Sequence, residues 1–249
     1  MNVICDIDGV LYRGDQLIPG SDIALERLLE AGVKVLFATN NSTRSPVSIS
    51  KKIATVTGVK IGSDLVVTSS QAAVRLLGED RGPVMVLGSE GIHAALAEAG
   101  IPVTEDPEAA SALLVGLDWD LNYQRLARGA DAVRAGARFI ATNTDPTYPV
   151  AAGLLPGGGA VVAAVQATTG VVPEVAGKPH LPMRQLLKEK GAGKAWVIGD
   201  RLDTDIALAD AEPDWSSILV LTGVTDSGDG SGADRVARDL TEAVDLILS

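Results

Sequence analysis

Four short segments of the sequence carry the residues that can do chemistry. They are Asp6-Ile7-Asp8-Gly9-Val10, Thr39-Asn40-Asn41, Gly177-Lys178-Pro179 and the run from Gly199-Asp200 to Asp205. Crowded carboxylates repel one another, so a divalent cation is their natural partner. Hydroxyl and amide groups suit the oxygens of a phosphate, and a lysine ammonium offsets the charge of a phosphoryl group in transfer.

Each of the first three segments also has a purely structural interpretation. Asp6 and Asp8 could cap backbone amides in a turn, Thr39-Asn40-Asn41 could be turn chemistry, and Lys178 could be a solvated surface residue. An EF-hand is excluded, because Asp6-Ile7-Asp8-Gly9 lacks the ligand spacing and the terminal Glu of a calcium loop. Taken one at a time, these segments do not decide a function.

The acidic run after Trp196-Val197-Ile198 is more specific. Asp200, Asp203 and Asp205 could each offer a hard oxygen ligand to a metal, whereas capping of the next helix would use one of them. This run, like the segments at Asp6 and Thr39, follows an apolar strand-like stretch. The carboxyl ends of strands are the edge at which open α/β sheets bind ligands.

Apolar runs alternate with amphipathic stretches along the whole chain and must position these residues. Val3-Ile4-Cys5, Val33 to Ala38 and Leu65-Val66-Val67 are typical of strands. Ser21 is expected to cap a helix that ends at Gly32, Ser45-Pro46 to start one that ends at Gly58, and Ser69 to cap a third. Strands that alternate with helices of this length predict a parallel sheet covered on both faces.

The pattern restarts after residues 79–83. Strands are predicted at 84–87, 101–103, 112–116 and 138–141, later strands at 196–198 and 218–221, and helices near 92–99, 123–135, 183–187 and 240–248. Residues 146–173 carry no charge, but their Pro and Gly residues would break a membrane-spanning helix, so a buried loop followed by a helix is expected. Residues 226–232 are typical of a polar, Gly-rich loop.

Composition excludes several classes of function. Lys and Arg number 21 against 32 Asp and Glu, giving a net charge of −11, which disfavours nucleic acid and anionic membranes as partners. A single cysteine rules out an intrachain disulfide, and two histidines make a His-built metal site improbable. The N-terminus has no signal-peptide pattern, so a cytoplasmic protein is expected.

In order and spacing, the four segments resemble the motifs of the haloacid dehalogenase (HAD) superfamily of phosphotransferases, and specifically its NagD-like, class IIA branch. The segment Gly-Asp-Arg-Leu-Asp-Thr-Asp-Ile at 199–206 is especially typical of that branch, and the motifs span nearly the whole chain. The resemblance implies a Rossmann-like parallel α/β core formed by residues 1–80 and 177–249. It also implies an inserted α/β cap of the C2 type at residues 81–176.

The resemblance further implies a phosphatase mechanism. Asp6 would be the nucleophile that forms an aspartyl-phosphate, and Asp8 would protonate the leaving group and then activate water. Mg²⁺ would be held by Asp6, the backbone carbonyl of Asp8 and Asp200. Asp205 would order metal waters or the lysine.

The remaining implied roles concern the phosphate and the leaving group. Thr39, the Asn40 backbone and Lys178 would receive the non-bridging phosphate oxygens. The cap would select the leaving group, with the loop at Asn143 and Asp145 as the best candidate to contact substrate. Backbone N–H groups at Gly157–Gly159 could approach an anion.

The favoured function is therefore a Mg²⁺-dependent phosphomonoesterase acting on a small phosphorylated metabolite, with a small polyol or acid phosphate preferred. A phosphomutase or a phosphate-binding protein without turnover stays open on the same scaffold. Phosphonate hydrolysis is disfavoured because residues 81–176 contain no lysine. A homodimer is possible, since caps of this branch commonly form dimer contacts. His180 follows Lys178-Pro179 and is a further candidate for a catalytic role, although Asp8 already supplies the acid–base group, and Cys5 is expected in the core.

Overall fold

The computed structural model describes residues 2–78, 82–150, 153–225 and 232–249. In chain order the strands are β1 (Asn2–Cys5), β2 (Tyr12–Arg13), β3 (Gln16–Leu17), β4 (Lys34–Thr39), β5 (Val66–Thr68), β6 (Val84–Leu87), β7 (Ala112–Val115), β8 (Arg138–Ala141), β9 (Thr147–Val150), β10 (Gly153–Pro156), β11 (Glu174–Val175), β12 (Ala195–Gly199), β13 (Trp215–Val220) and β14 (Arg235–Ala237). The helices are α1 (Ser21–Glu30), α2 (Pro46–Thr57), α3 (Ser69–Leu76), α4 (Glu90–Glu98), α5 (Tyr123–Arg134), α6 (Gly158–Thr169), α7 (Leu181–Glu189), α8 (Ala207–Asp210) and α9 (Leu240–Leu248).

The larger sheet has six strands in the order β14-β13-β12-β1-β4-β5, and every pairing in it is parallel. Successive side chains of β1 point to opposite faces, so Ile4 joins one apolar cluster while Val3 and Cys5 join the other. A strand buried on both faces needs a continuous apolar run, which is the pattern that the sequence shows there. This arrangement is the parallel α/β sheet that the alternating pattern predicts.

The smaller sheet has four parallel strands in the order β11-β8-β7-β6. Its residues fall inside the segment predicted to be the cap, between the two parts of the chain that build the larger sheet. One apolar cluster runs from Ile4 and Leu36 of the larger sheet to Val86 and Leu114 of the smaller one. The exact limits of the cap, 81–176, stay a prediction.

Residues 146–173 differ from the expectation of a buried loop and helix. Strands β9 and β10 pair as an antiparallel hairpin, and α6 follows it. Leu154 on this hairpin is 65% exposed, so the hairpin is not buried in the core, whereas Val161, Val162 and Val165 of α6 are buried. A two-stranded hairpin satisfies its backbone hydrogen bonds internally, which allows an uncharged segment to lie at the surface.

The three helices start where expected, and the N-cap residue was predicted correctly in one case of three. Ser45 caps α2, its side chain accepting from the Ser48 N–H at 3.3 Å, and Gly58 ends that helix with φ of 78°. Ser21 does not cap α1; Gly20 does, with φ of 83°, while the Ser21 hydroxyl donates to Leu11 O. The cap of α3 is Thr68 in a capping box with Gln71, which displaces the predicted cap by one residue.

Two short segments, 101–103 and 226–232, were predicted as a strand and a polar loop. The predicted strand at 101–103 is wrong, because this segment forms only an isolated bridge between Val84 and Val103. The short run is interrupted by Pro102, whose missing N–H cannot join a ladder. The polar loop predicted at 226–232 falls, up to residue 231, outside the described residues.

Candidate active site

The acidic turn after β1 lies at the carboxyl edge of the larger sheet. The N–H of Asp6 donates to Ile198 O at 2.8 Å, which extends the pairing of β1 with β12 and brings their following loops together. Gly9 has φ of 92°, and a Cβ there would lie 2.6 Å from the Asp200 Oδ2. Only glycine combines this conformation with so close an approach, so the turn sets the first acidic segment against the last.

Lys178 lies buried between two carboxylates. Its Nζ donates to Asp6 Oδ1 at 2.5 Å, to Asp205 Oδ1 at 2.6 Å and to Ala38 O at 2.9 Å. An ammonium has three donors, and all three are used. Burial by itself would lower the pKa of Lys178, but the charges of Asp205 and Asp6 outweigh it and raise the pKa above its usual range. The lysine is therefore a fixed positive charge beside Asp6.

Asp200 completes a group of three carboxylates. Oxygen atoms of Asp6, Asp200 and Asp205 lie within 4.8 Å of one another, and all three residues are buried. The Asp200 Oδ2 accepts from the Val224 N–H at 2.6 Å, whereas its buried Oδ1 has no hydrogen-bond partner among the described residues. Burial, followed by the charge of Asp205, raises the pKa of Asp200 to about 6.

This donor set fits a hard divalent cation. A buried carboxylate oxygen without a donor is costly, and a cation shared with Asp6 would satisfy it. Asp8 was also predicted to bind the metal, through its carbonyl, and its carboxylate does not belong to the group of three. Its side chain instead receives a hydrogen bond from Asn41, and burial raises its pKa.

The two other acids of the last segment are oriented in different ways. Both oxygens of Asp205 are engaged, Oδ1 by Lys178 and Oδ2 by the Arg201 N–H at 3.2 Å. This is the ordering of the lysine that was predicted for Asp205. The proposal of Asp203 as a ligand is wrong: its side chain is 68% exposed and accepts two bonds from the Arg201 guanidinium. Residues two apart on the helical turn at 202–206 lie on different faces, so one points inward and the other outward.

The polar segment after β4 lies next to Lys178. The Thr39 hydroxyl accepts from the Asn41 N–H at 3.0 Å, and the side chain of Thr39 is buried at the cavity floor. Asn40 Oδ1 accepts from the Lys178 N–H at 2.7 Å. Thr39, Asn40 and Lys178, which were predicted to receive phosphate oxygens, are thus brought together, and that role stays a prediction.

The loop after β8 reaches the same place. Asn143 Nδ2 donates to Asn40 O at 2.7 Å, and Asp145 accepts from Asn40 Nδ2 at 3.2 and 3.3 Å. Both residues line the cavity, as expected for a substrate loop, although the Asn143 carboxamide is already engaged by protein groups. The glycines at 157 and 159 donate their N–H groups to Pro146 O and Asp145 O, so these two amides are not directed at an anion.

A cavity of about 380 Å³ opens above these residues. Its floor comes from the first, second, third and fourth sequence segments, and its walls include Leu117, Tyr148 and Leu154 from the inserted segment. The Tyr148 ring packs edge-on against Trp119 with centroids 5.6 Å apart. Sequence reasoning missed these wall residues, because an aromatic or apolar side chain in an uncharged stretch carries no chemical signal of its own.

Three residues with potentially reactive side chains do not line the cavity. His180 is the residue that precedes α7 and is not among those that line the cavity. Cys5 is buried in the core, where burial raises the pKa of its thiol above the usual range. His93 is exposed on α4.

Comparison with known proteins decides the family. A family model described as haloacid dehalogenase-like hydrolase matches residues 3–102, and one described as HAD-hydrolase-like matches residues 175–243. This chain belongs to the haloacid dehalogenase-like hydrolases. The matched ranges contain all four chemical segments and leave out most of the inserted one.

Relatives of this HAD chain are phosphatases. It is 37% identical over 241 residues to D-glycerol 3-phosphate phosphatase of Mycobacterium tuberculosis, which covers 95% of this chain and 67% of the relative. It is 36% identical over 227 residues to acid sugar phosphatase of Staphylococcus saprophyticus, covering 89% and 86%. A crystal structure of glycerol phosphate phosphatase from Mycobacterium tuberculosis in complex with magnesium superposes with a TM-score of 0.86 at 35% identity, covering 97% and 75% of the two chains.

The HAD assignment confirms the predicted family and the α/β fold class. Within the described residues, no helix of this HAD chain is both long and apolar enough to cross a membrane. The uncharged stretch at 146–173, which could suggest a span by composition, is divided between a hairpin and α6.

Proposed function

We propose that this chain is a Mg²⁺-dependent phosphomonoesterase that hydrolyses a small organic phosphate through an aspartyl-phosphate on Asp6. The observation that carries the proposal is the position of Asp6, buried at the cavity floor with Lys178 on its Oδ1 and Asp200 beside it. The phosphatase relatives, one of them crystallised with magnesium, support the same reaction class.

The reaction begins with attack on phosphorus. Because Lys178 holds Oδ1 of Asp6, Oδ2 is the oxygen directed to the substrate, and its bond to phosphorus forms as the ester P–O bond breaks. Asp8 gives its proton to the leaving alkoxide. Water then attacks the aspartyl-phosphate, Asp8 takes a proton from it, and inorganic phosphate leaves with Asp6 restored.

Asp8 is suited to this double task by its surroundings. Burial raises its pKa, while Lys52 and the hydrogen bond from Asn41 counteract part of that effect. A carboxyl group with a raised pKa keeps a proton closer to neutral pH, which an acid needs. Burial also raises the pKa of Asp6, with the charges of Asp205 and Asp200 adding to it, so the nucleophile relies on the Lys178 ammonium, which lowers that pKa, and on a bound cation to be ionised.

The cation and the remaining polar groups neutralise charge. Mg²⁺ supplies charge neutralisation when it is held by Asp6, Asp200 and the carbonyl of Asp8, and the unpartnered Asp200 Oδ1 is the atom that fits it. Thr39 and Asn40 line the cavity, which supports their proposed role of receiving phosphate oxygens. Positioning and electrostatics account for most of the catalysis in phosphoryl transfer.

We propose that residues 81–176 act as the cap that selects the leaving group. The walls formed by Tyr148, Leu117 and Leu154 lie opposite the charged floor. The space is sufficient for a phosphate and a leaving group of a few carbons or one ring. The relatives' names, glycerol 3-phosphate and acid sugar phosphatase, agree with a small phosphorylated metabolite as substrate.

A phosphate-release assay over a panel of metabolite esters tests this function. We expect turnover with Mg²⁺, loss of turnover with a chelator, and a rate at least about 1,000-fold lower for Asp6→Asn, because the amide is a poor nucleophile. Turnover by Asp6→Asn, or undiminished turnover in chelator, would contradict the mechanism. Tight phosphate binding without release from any ester would instead favour a binding protein, and transfer between two positions of one substrate would favour a mutase.

A further inference from the structure

The side chain of Asn40 joins the lysine loop to the loop that follows β8. Its Nδ2 donates to both carboxylate oxygens of Asp145, at 3.2 and 3.3 Å, and to Lys178 O at 3.2 Å. Its Oδ1 accepts from the Lys178 N–H at 2.7 Å. One buried carboxamide therefore holds the backbone of Lys178 on both sides of its Cα and the carboxylate of Asp145.

Backbone contacts repeat this connection. Asn143 donates to Asn40 O at 2.7 Å, and the Gly177 N–H donates to Thr142 O at 2.8 Å. A Cβ on Gly177 would lie 2.4 Å from Asn40 Oδ1 and 2.5 Å from Thr142 O. Gly177 is thus packed between the two loops with no space to spare, so a shift of the loop at 142–145 must move the residue that precedes Lys178.

The chemistry of the contact requires an amide at position 40. Asp145 and Lys178 O are both acceptors, while the Lys178 N–H is a donor, and only a carboxamide meets both demands from one short side chain. A carboxylate there would face the carboxylate of Asp145 and the carbonyl of Lys178. In a buried place such a pair of like charges is strongly unfavourable.

We propose that Asn40 is a positioning residue that couples the cap loop at 142–145 to Lys178 through its hydrogen bonds to Asp145. When Asp145 is bound to Asn40, Lys178 is held with its Nζ donating to Asp6 and Asp205. When the contact is lost, the lysine backbone loses its support and the charge beside Asp6 is displaced. The inference rests on the proposed phosphatase function and adds the link between substrate enclosure and catalysis.

Reversal of the pair tests the coupling. Asn40→Asp is expected to lower kcat about 100-fold while KM changes less than about threefold, because Lys178 acts on the transition state. Asp145→Asn is expected to cost less than about fivefold, since its amide oxygen can still accept from Asn40. In the double variant the amide and carboxylate exchange places, and kcat should recover about tenfold from the Asn40→Asp value.

Additive losses in the double variant would overturn the coupling. The matched control is Asp131→Asn, a change of the same kind on the same segment at an exposed carboxylate paired with Arg134. Its kcat is expected to stay within about twofold of the parent. A mere loss of folding in Asn40→Asp would appear as a lower melting temperature, and the double variant would not restore kcat selectively.

Amide hydrogen exchange separates this inference from the proposed function, because it needs no substrate. In Asp145→Ala, exchange at the Gly177 amide should be about tenfold faster or more, while amides of the central strand β1 keep their protection. Unchanged exchange at Gly177 in Asp145→Ala would contradict the proposed coupling even if the parent enzyme is active. If the parent protein has no phosphatase activity but Asp145→Ala still shows faster exchange at Gly177, the coupling would be supported and the proposed function would be contradicted.

Discussion

The floor and the wall of the cavity are built on opposite principles. The floor consists of buried charges, with Asp6, Lys178 and Asp205 locked by ion pairs of 2.5 and 2.6 Å. The wall consists of apolar and aromatic groups such as Tyr148 and Leu154, the latter mostly exposed. Charged groups stabilise a transition state strongly only when they are held in fixed positions and shielded from water. A wall that selects a leaving group needs mainly a complementary shape.

This difference indicates a division of tasks between the two regions. Most floor residues come from the ends of β1, β4 and β12, which the parallel sheet holds in register, and Lys178 comes from the loop between β11 and α7. The wall residues come from a hairpin and a loop whose sequence can vary without disturbing the sheet. We therefore expect substitutions in the floor to change kcat and stability, and substitutions in the wall to change KM and substrate preference.

The largest effect is expected for Lys178→Met. Asp6 and Asp205 would then lie buried beside each other without a compensating charge, and kcat should fall about 1,000-fold. In chelator at pH 7, urea denaturation should show a loss of about 3 kcal/mol in the free energy of unfolding. The control is Lys51→Met, at an exposed position of α2. A Lys178→Met enzyme with kcat within tenfold of the parent would remove the distinction between floor and wall.

The second effect concerns Asp200 and pH. Its pKa is raised by burial to about 6, so without metal the ionised form costs folding free energy above that pH. Asp200→Asn should therefore abolish Mg²⁺-dependent turnover yet raise the free energy of unfolding in chelator at pH 8 by about 2 kcal/mol.

The sign of this second effect is checked by lowering the pH. A raised pKa means that the parent regains stability as pH falls through about 6, and below the unfolded-state value of 3.8 the two proteins should differ little. Urea denaturation at pH 8, 6 and 4 gives the comparison. A variant that is less stable than the parent at pH 8 in chelator would show that Asp200 is held by the fold and needs no cation.

A smaller effect is expected in the wall at Tyr148. Tyr148→Ala removes the ring that packs on Trp119, and KM should rise about tenfold with kcat changed less than about threefold. Tyr148→Phe keeps the ring and loses only a 3.5 Å contact with Asn41, so it should behave like the parent within about twofold. Steady-state kinetics on two esters of different size measure both. A loss confined to kcat would place Tyr148 with the floor.

The smallest effect is expected for Asp203→Asn. Its side chain is exposed and pairs only with Arg201, and such pairs contribute about 0–1 kcal/mol. We expect kcat and KM within about twofold of the parent and a melting temperature shifted by less than about 2 °C. This variant is also the matched control for Asp200→Asn. A large loss of Mg²⁺-dependent activity would restore Asp203 as a contributor to the cation site.

Much of the floor could be predicted from the sequence, because three of its segments each follow an apolar strand and the ends of parallel strands meet at one edge. That argument brings Asp6, Thr39 and Asp200 together without any coordinates. It could not separate Asp203 from Asp205, since both lie in the same short run. Their opposite directions depend on one helical turn at 202–206.

The wall was predicted less well for a different reason. Asn143 and Asp145 line the cavity, because they follow a strand, and their contact with substrate stays a prediction. Tyr148 and Leu154 were missed because the hairpin β9–β10 was not foreseen in an uncharged stretch rich in Pro and Gly. The helices at Ser21 and Ser69 start where expected, but in each case the preceding residue takes the capping position.

The sequence by itself determined the parallel α/β class, the family and the chemical identity of the floor, because periodicity and motif order are local properties of the chain. Only the tertiary structure decided which side-chain oxygen atoms accept hydrogen bonds and which do not. Asp200 Oδ1 lacks a partner, and Asn40 spans Lys178 and Asp145, because residues more than 100 positions apart are packed against each other. Hydrogen bonds between such distant residues depend on distances that the order of residues does not contain.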